Sequence, residues 1–204
     1  MLLPSVGLES AILYRLPFRH FLLALGLSVT LTACDRAAEA DAQQQESSGA
    51  AKSVLTGEID RTFAGTAMPS AQLTHTDGST LDLASLKGEP VLVNLWATWC
   101  APCVLEMPML DNLADELGGD VRVLTVSQDL TGEEAVAPFF AKYNFVNLQP
   151  WMDRQNVLGF GFGGDSLPTT VLYNAAGEEV FRVAGGYEWD SEEAQAQIKE
   201  ALAD

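Results

Sequence analysis

From residue 61 onward, apolar and polar positions fall into blocks that read as strands and helices in turn. Pro90-Val-Leu-Val-Asn-Leu-Trp96 is a near-continuous apolar run, the pattern of a strand covered on both faces. Val121-Arg-Val-Leu-Thr-Val126 predicts a second buried strand. Before them, Leu73 and the pair Leu81, Leu83 flank Thr76-Asp77-Gly78-Ser79, and Asp-Gly between apolar positions predicts an N-terminal β-hairpin. Helices are predicted from Cys100 to Leu117, kinked by Pro108, and over residues 132–143 despite Pro138. Thr169-Thr-Val-Leu-Tyr173 and Glu179-Val-Phe-Arg-Val183 predict strands joined by an Asn-Ala-Ala-Gly turn. A charged amphipathic helix from Ser191 to Leu202 closes the chain; Glu193 and Ala194 follow its first residue, without a strict capping box. Strand–helix–strand followed by a hairpin and a last helix indicates an α/β domain with a mixed central sheet flanked by helices. No internal repeat is visible.

The first 60 residues follow a different pattern. Arg15, Arg19 and His20 form a basic region, and Phe21 to Ala33 is an uncharged run of 13 residues. That run has the length of a signal-peptide core and falls short of the roughly 20 apolar residues of a spanning helix. It ends in Leu31-Thr32-Ala33-Cys34, which resembles the lipobox of bacterial lipoproteins, so residues 1–33 are expected to be a signal peptide and Cys34 the lipidated residue. The 14 residues before Arg15 are long for such a signal, and a start further downstream would shorten it. Asp35 after the cysteine resembles an inner-membrane retention signal. Residues 35–58 are rich in Ala, Gln, Ser and Glu with no apolar stripe, and as a flexible tether they would reach roughly 25–30 Å. The expected division is a signal peptide at 1–33, a lipidated cysteine and tether at 34–60, and a domain at 61–204.

Composition narrows the function. The chain has 204 residues with 48% hydrophobic and 19% charged, which fits an ordinary globular domain. It carries 28 Asp and Glu against 11 Lys and Arg, a net charge of −17, so it repels phosphate backbones and nucleic acid is excluded as a partner. Removal of residues 1–33 takes Glu9, Arg15 and Arg19 with it and leaves 27 acidic and 9 basic side chains, net −18. Such a charge gives no help in docking to an anionic membrane, so attachment must be apolar or covalent.

The chain has 3 cysteines. With Cys34 given over to the lipid, Trp99-Cys100-Ala101-Pro102-Cys103 remains, placed where the apolar strand gives way to a helix. A cysteine at a helix N-terminus faces unpaired N–H groups and the positive end of the dipole, both of which favour its thiolate. Three residues on, Cys103 lies on the same side of the helix, close enough to form or resolve a disulfide. Pro102 removes a donor that has no partner there. A zinc site needs about four ligands, and beyond the lipidated cysteine the chain offers these two cysteines and His75. Haem attachment needs His after the second cysteine, where Val104 stands. A purely structural disulfide closing so small a loop would stabilise little. Two thiolates do suit Cu(I), so a copper or haem chaperone stays open as a non-enzymatic reading. A peroxiredoxin-type thiol peroxidase would want Pro at 93 and Thr at 97, where Val93 and Ala97 stand. Gly159 to Gly164 formally contains G-x-G-x-x-G, but it neither follows a strong strand nor opens a helix and is read as a flexible loop. Acidic side chains between 111 and 134 read as solvated faces, and His75 as surface decoration.

The stretch Val93-Asn-Leu-Trp-Ala-Thr-Trp-Cys-Ala-Pro-Cys-Val-Leu-Glu-Met-Pro108, with the hairpin before it, Ser166-Leu-Pro-Thr-Thr-Val-Leu-Tyr173 and the later Gly177 and Gly186, resembles the TlpA/ResA-like thiol-disulfide oxidoreductases of the thioredoxin superfamily. The resemblance spans about residues 61–204 and implies a thioredoxin-like fold. It makes Cys100 the attacking thiolate, Cys103 the resolving thiol and Pro168 a cis-proline facing the sulfurs. The Leu167 backbone would pair with an extended substrate, and Trp99, Ala101 and Pro102 would border its groove. Glu106, about 60° around the helix from Cys103, matches the acidic residue the family places beneath the site, where it would relay protons. Trp96 is expected to pack, and Trp99 also to shield the disulfide from water. The glycine-rich stretch departs from the family, in which a single glycine often precedes the proline, so the groove's shape is left open. The resemblance implies no cofactor or metal beyond the redox-active disulfide. It further implies cysteine-containing exported proteins as substrates, a membrane thiol electron donor, and a periplasmic place on a bacterial membrane. Apocytochrome c haem-site cysteines or copper-site cysteines of an oxidase are the substrates it suggests. An oxidase or isomerase would use the same pair in the opposite direction, and the Ala-Pro between the cysteines leans reductive.

Overall fold

A computed structural model describes residues 54–164 and 166–203; the leader, Cys34 and the tether up to residue 53 lie outside the described residues. In chain order the elements are β1 (Ile59–Asp60), β2 (Gln72–His75), β3 (Thr80–Asp82), a 3-10 turn at Leu83–Leu86, β4 (Val91–Trp96), α1 (Ala101–Glu116) and β5 (Arg122–Ser127). They continue with α2 (Glu133–Tyr143), β6 (Trp151–Met152), α3 (Val157–Gly161), β7 (Thr169–Tyr173), β8 (Glu179–Ala184) and α4 (Glu192–Ala201). Among the described residues no helix is long and apolar enough to cross a membrane.

The strands form one sheet in the order β1-β8-β7-β4-β5-β6-β2-β3. β4 lies at its centre, parallel to β5 and antiparallel to β7, and all six of its residues are buried. Its alternating side chains divide the core into two layers. Leu92 and Trp96 face Cys103, Met107, Leu110 and Leu113 of α1 together with Ile198 of α4. Val91, Val93 and Leu95 face the other way, onto Leu73, Leu83, Leu158 and Phe162. Asn94 belongs by this alternation to the α1 side, a polar residue in an apolar strand. β2 and β3 pair antiparallel around Asp77-Gly78, and β2 joins the sheet edge through β6. This mixed sheet with flanking helices is a thioredoxin-like fold.

Several expectations change. The sheet takes in residues before 61: Ile59 and Asp60 pair with Val183 and Arg182, and Gly57 N donates to Gly186 O at 2.9 Å. Two residues carry no periodicity, so this strand exists only because β8 offers it an edge. The stretch Gly159–Gly164, expected as a loop, starts inside α3. Asp153 Oδ2 accepts from Leu158 N at 2.7 Å and so starts a helical turn that buries Leu158. Two acidic residues expected on solvated faces are anchors. Asp111 accepts the backbone N–H groups of Val146, Asn147 and Leu148 at 3.2, 2.8 and 3.1 Å and ties the segment after α2 to α1. The other, Asp129, belongs to the active site.

Candidate active site

The site begins where β4 ends. Cys100 is the N-cap of α1, its Sγ accepting from Cys103 N at 3.4 Å, and Pro102 stands in the first turn, where no N–H is missed. Cys100 and Cys103 are joined in a disulfide with Cα atoms 5.3 Å apart. Their environments differ: Cys100 is 6% exposed and Cys103 is fully buried. An approaching partner therefore meets the sulfur of Cys100 first.

The turn that carries the cysteines is held from β5. Asp129 accepts Thr98 N at 2.9 Å and Thr98 Oγ1 at 2.7 Å, and Ser127 Oγ donates to the same carboxylate at 2.8 Å. Trp96 is packed in the core against Phe139, ring centroids 4.7 Å apart, as expected. Trp99 is 69% exposed. It borders a cavity of about 730 Å³ with Cys100, Pro102, Leu130, Phe162 and Leu167. Ala101, next to Cys100, is exposed. The Leu167–Pro168 peptide is cis, Pro168 is buried, and its carbonyl accepts from Gly185 N at 2.8 Å.

Glu106 is fully buried one turn below Cys103. Asn94 Nδ2 donates to its Oε1 at 2.6 Å, and Tyr187 N and Trp189 Nε1 each donate to Oε2 at 3.2 Å. Burial in the apolar layer pushes its carboxyl up to about 8, and the donors from Tyr187, Asn94 and Trp189 oppose that shift only in part. A carboxylic acid that changes state near neutral pH thus lies under the buried cysteine. Asn94 also donates to Thr170 Oγ1 at 2.9 Å, which fixes the amide between β4, β7 and the helix.

Sequence reasoning missed Asn94, Asp129, Tyr187 and Trp189. A signal existed for Asn94, a lone amide inside the apolar run of β4 in phase with the helix-facing residues. It also missed Arg182, which donates to both carboxylate oxygens of the buried Glu179 at 2.6 Å and to Phe162 O at 3.0 Å, so that β8 holds one wall of the cavity. His75 is not brought to the site; it neighbours Asp77 at 2.9 Å and the edge of Trp151. No cluster of metal-ligating side chains occurs among the described residues.

A disulfide at the start of the helix that follows the central strand, with Cys100 lining a cavity that Leu167 of the cis Leu167–Pro168 peptide also lines and Cys103 sealed behind it, defines a thiol-disulfide oxidoreductase of thioredoxin type. Comparison with known proteins agrees. The Redoxin family model matches residues 63–198. The chain is 32% identical over 123 residues to thiol-disulfide oxidoreductase ResA of Bacillus subtilis (strain 168), a match covering 59% of this chain and 67% of that one. It also resembles the crystal structure of the exposed lipoprotein thioredoxin of Streptococcus pneumoniae strain TIGR4, at 31% identity and a TM-score of 0.53, over 65% of this chain and 99% of that one. A thiol:disulfide interchange protein of Chlorobium tepidum shares the fold, with a TM-score of 0.54 at 22% identity over 68% of this chain and 97% of that one. The chain belongs to the Redoxin family, as a TlpA/ResA-like member of the thioredoxin superfamily.

Proposed function

We propose that the chain is a membrane-anchored, periplasm-facing reductase of protein disulfides that works through Cys100 and Cys103. The observation that carries the reading is the asymmetry of the pair: Cys100 borders the cavity, while Cys103 is buried above Glu106. In the reduced protein, the N-terminus of α1 favours the Cys100 thiolate. That thiolate attacks one sulfur of a substrate disulfide, forming a mixed disulfide and expelling the other substrate sulfur as a thiolate. Cys103 passes its proton to the Glu106 carboxylate and attacks Cys100 Sγ. The second substrate thiolate leaves, and two electrons have moved from the dithiol to the substrate. The disulfide of Cys100 and Cys103 is then returned to the dithiol by a membrane thiol donor.

Leu31-Thr32-Ala33-Cys34 supports a lipid anchor on Cys34, and the similarity to an exposed lipoprotein of Streptococcus pneumoniae favours it. The substrates are exported proteins with cysteine pairs, and the family resemblance directs attention to haem-site cysteines of apocytochrome c and copper-site cysteines of an oxidase.

Trapping tests this reading. Cys103→Ala removes the resolving thiol, so the reduced variant should accumulate a mixed disulfide through Cys100 with its envelope substrates, identifiable by mass spectrometry. Cys100→Ala should trap nothing. Equal trapping by both variants would refute the division of roles. Mass spectrometry of the Cys34 peptide from membranes reads the anchor separately.

A further inference from the structure

The amino-terminal end of the described chain reaches the redox site. No side chain fits at Gly57, where a Cβ would lie 2.6 Å from Val183 Cγ1, 2.8 Å from Gly185 O and 3.0 Å from Gly186 O. This close approach presses the segment from Val54 onto Gly186. There a Cβ would lie 2.8 Å from Leu55 Cδ2, 3.4 Å from Val54 O and 3.4 Å from Pro102 Cβ. Leu55 and Pro102 thus both approach the bare Gly186, and Pro102 immediately precedes Cys103 and lines the cavity beside Cys100. The loop beneath them is the one that holds the catalytic surroundings: Gly185 N donates to Pro168 O at 2.8 Å and Tyr187 N to Glu106 at 3.2 Å.

Val54 is 39% exposed and Leu55 half-buried, and Leu55 lies against Gly186 on the side of Pro102, a residue of the cavity wall. We propose that Val54 and Leu55 form a further wall of the redox groove and that Leu55 favours polypeptide disulfides flanked by an apolar side chain. A polypeptide lying along Leu167 and crossing Cys100 runs on over Pro102 and covers the free part of Leu55. A small disulfide reaches Cys100 without touching it. A polypeptide substrate is the occupant that the continuity with the disulfide requires, whereas a second copy of a chain with net charge −17 is repelled. The inference rests on Cys100 being the reacting sulfur.

The test uses the pre-reduced full chain and single-turnover rates followed by tryptophan fluorescence. Its probes are a peptide disulfide flanked by Leu, the same peptide with Ser, and hydroxyethyl disulfide. Leu55→Ala and Leu55→Lys should raise the half-saturating concentration of the Leu-flanked peptide by about fivefold or more, the scale of part of a leucine's burial. The Ser-flanked peptide, hydroxyethyl disulfide and the reduction potential should be unmoved. An unchanged half-saturation in Leu55→Ala would overturn the proposal, as would a common shift of all three probes with the potential, the mark of a structural role. If the unaltered chain failed to react with hydroxyethyl disulfide, the redox reading itself would fall and the inference with it.

Discussion

Glu106→Gln (E106Q) isolates the buried carboxyl one turn below Cys103. In the folded protein burial pushes the Glu106 carboxyl up to about 8, against an ordinary value of 4.5. Between those values the unfolded chain has released the proton and the folded chain still holds it. Fewer protons bound in the unfolded state mean that stability falls as pH rises. At 1.36 kcal/mol per unit the loss relative to a neutral isostere is about 3 kcal/mol at pH 7 and approaches about 5 kcal/mol above pH 8, as an order of magnitude. The amide keeps the hydrogen bonds. Its oxygen accepts from Tyr187 N and Trp189 Nε1, and its NH2 faces Asn94, whose buried Oδ1 has no partner and becomes the acceptor when that amide turns over. Urea unfolding of the oxidised native and variant proteins from pH 4 to 8 reads the difference, and all other titrating groups cancel in it. The variant should match the native protein near pH 4 and be more stable by a few kcal/mol near pH 8. A difference that stays flat across that range would show that Glu106 has an ordinary carboxyl pKa, and the proton-relay argument would lose its basis.

Further predictions follow from the same contacts. If Glu106 accepts the proton of Cys103, resolution of a mixed disulfide should accelerate as pH rises through about 8, where the carboxylate forms. The acceleration should vanish in E106Q, as followed by stopped-flow fluorescence. Asp129→Ala removes the anchor of Thr98 and should cost about 2–4 kcal/mol in urea unfolding, since hydrogen bonds to a charged group contribute about 1.5–3 kcal/mol each and do not add fully. Asp129→Asn should cost less. Arg182→Met leaves Glu179 buried without its partner and should cost about 3–5 kcal/mol by the same measurement. Replacing both residues by Met should recover most of that loss.

What could be read from the sequence was local. The apolar runs of β4, β5 and β7 carry their own pattern, and so does the start of α4, where Ser191 Oγ accepts from Ala194 N at 3.1 Å. The cysteine pair was legible because its chemistry depends on neighbours in sequence, and Pro168 and Glu106 because a family motif places them. The residues that complete the site come from far along the chain. Asp129 reaches back 31 positions to Thr98, and Trp189 reaches 83 positions to Glu106. No periodicity encodes such pairs. β1 and β6, two residues each, have no period and form only where a neighbouring strand presents an edge. α3 is assembled from residues including Gly159 and Gly161, poor helix formers whose turn is set by the Asp153 carboxylate rather than by propensity.

The central claim is that Cys100 and Cys103 form a reducing dithiol, and their reduction potential tests it most directly. Equilibration of the protein with thiol buffers of graded potential, read by alkylation and mass, should give a value of about −250 mV or lower, in the range of thioredoxin. A value near about −130 mV would place the pair with disulfide donors and reverse the proposed direction of electron flow.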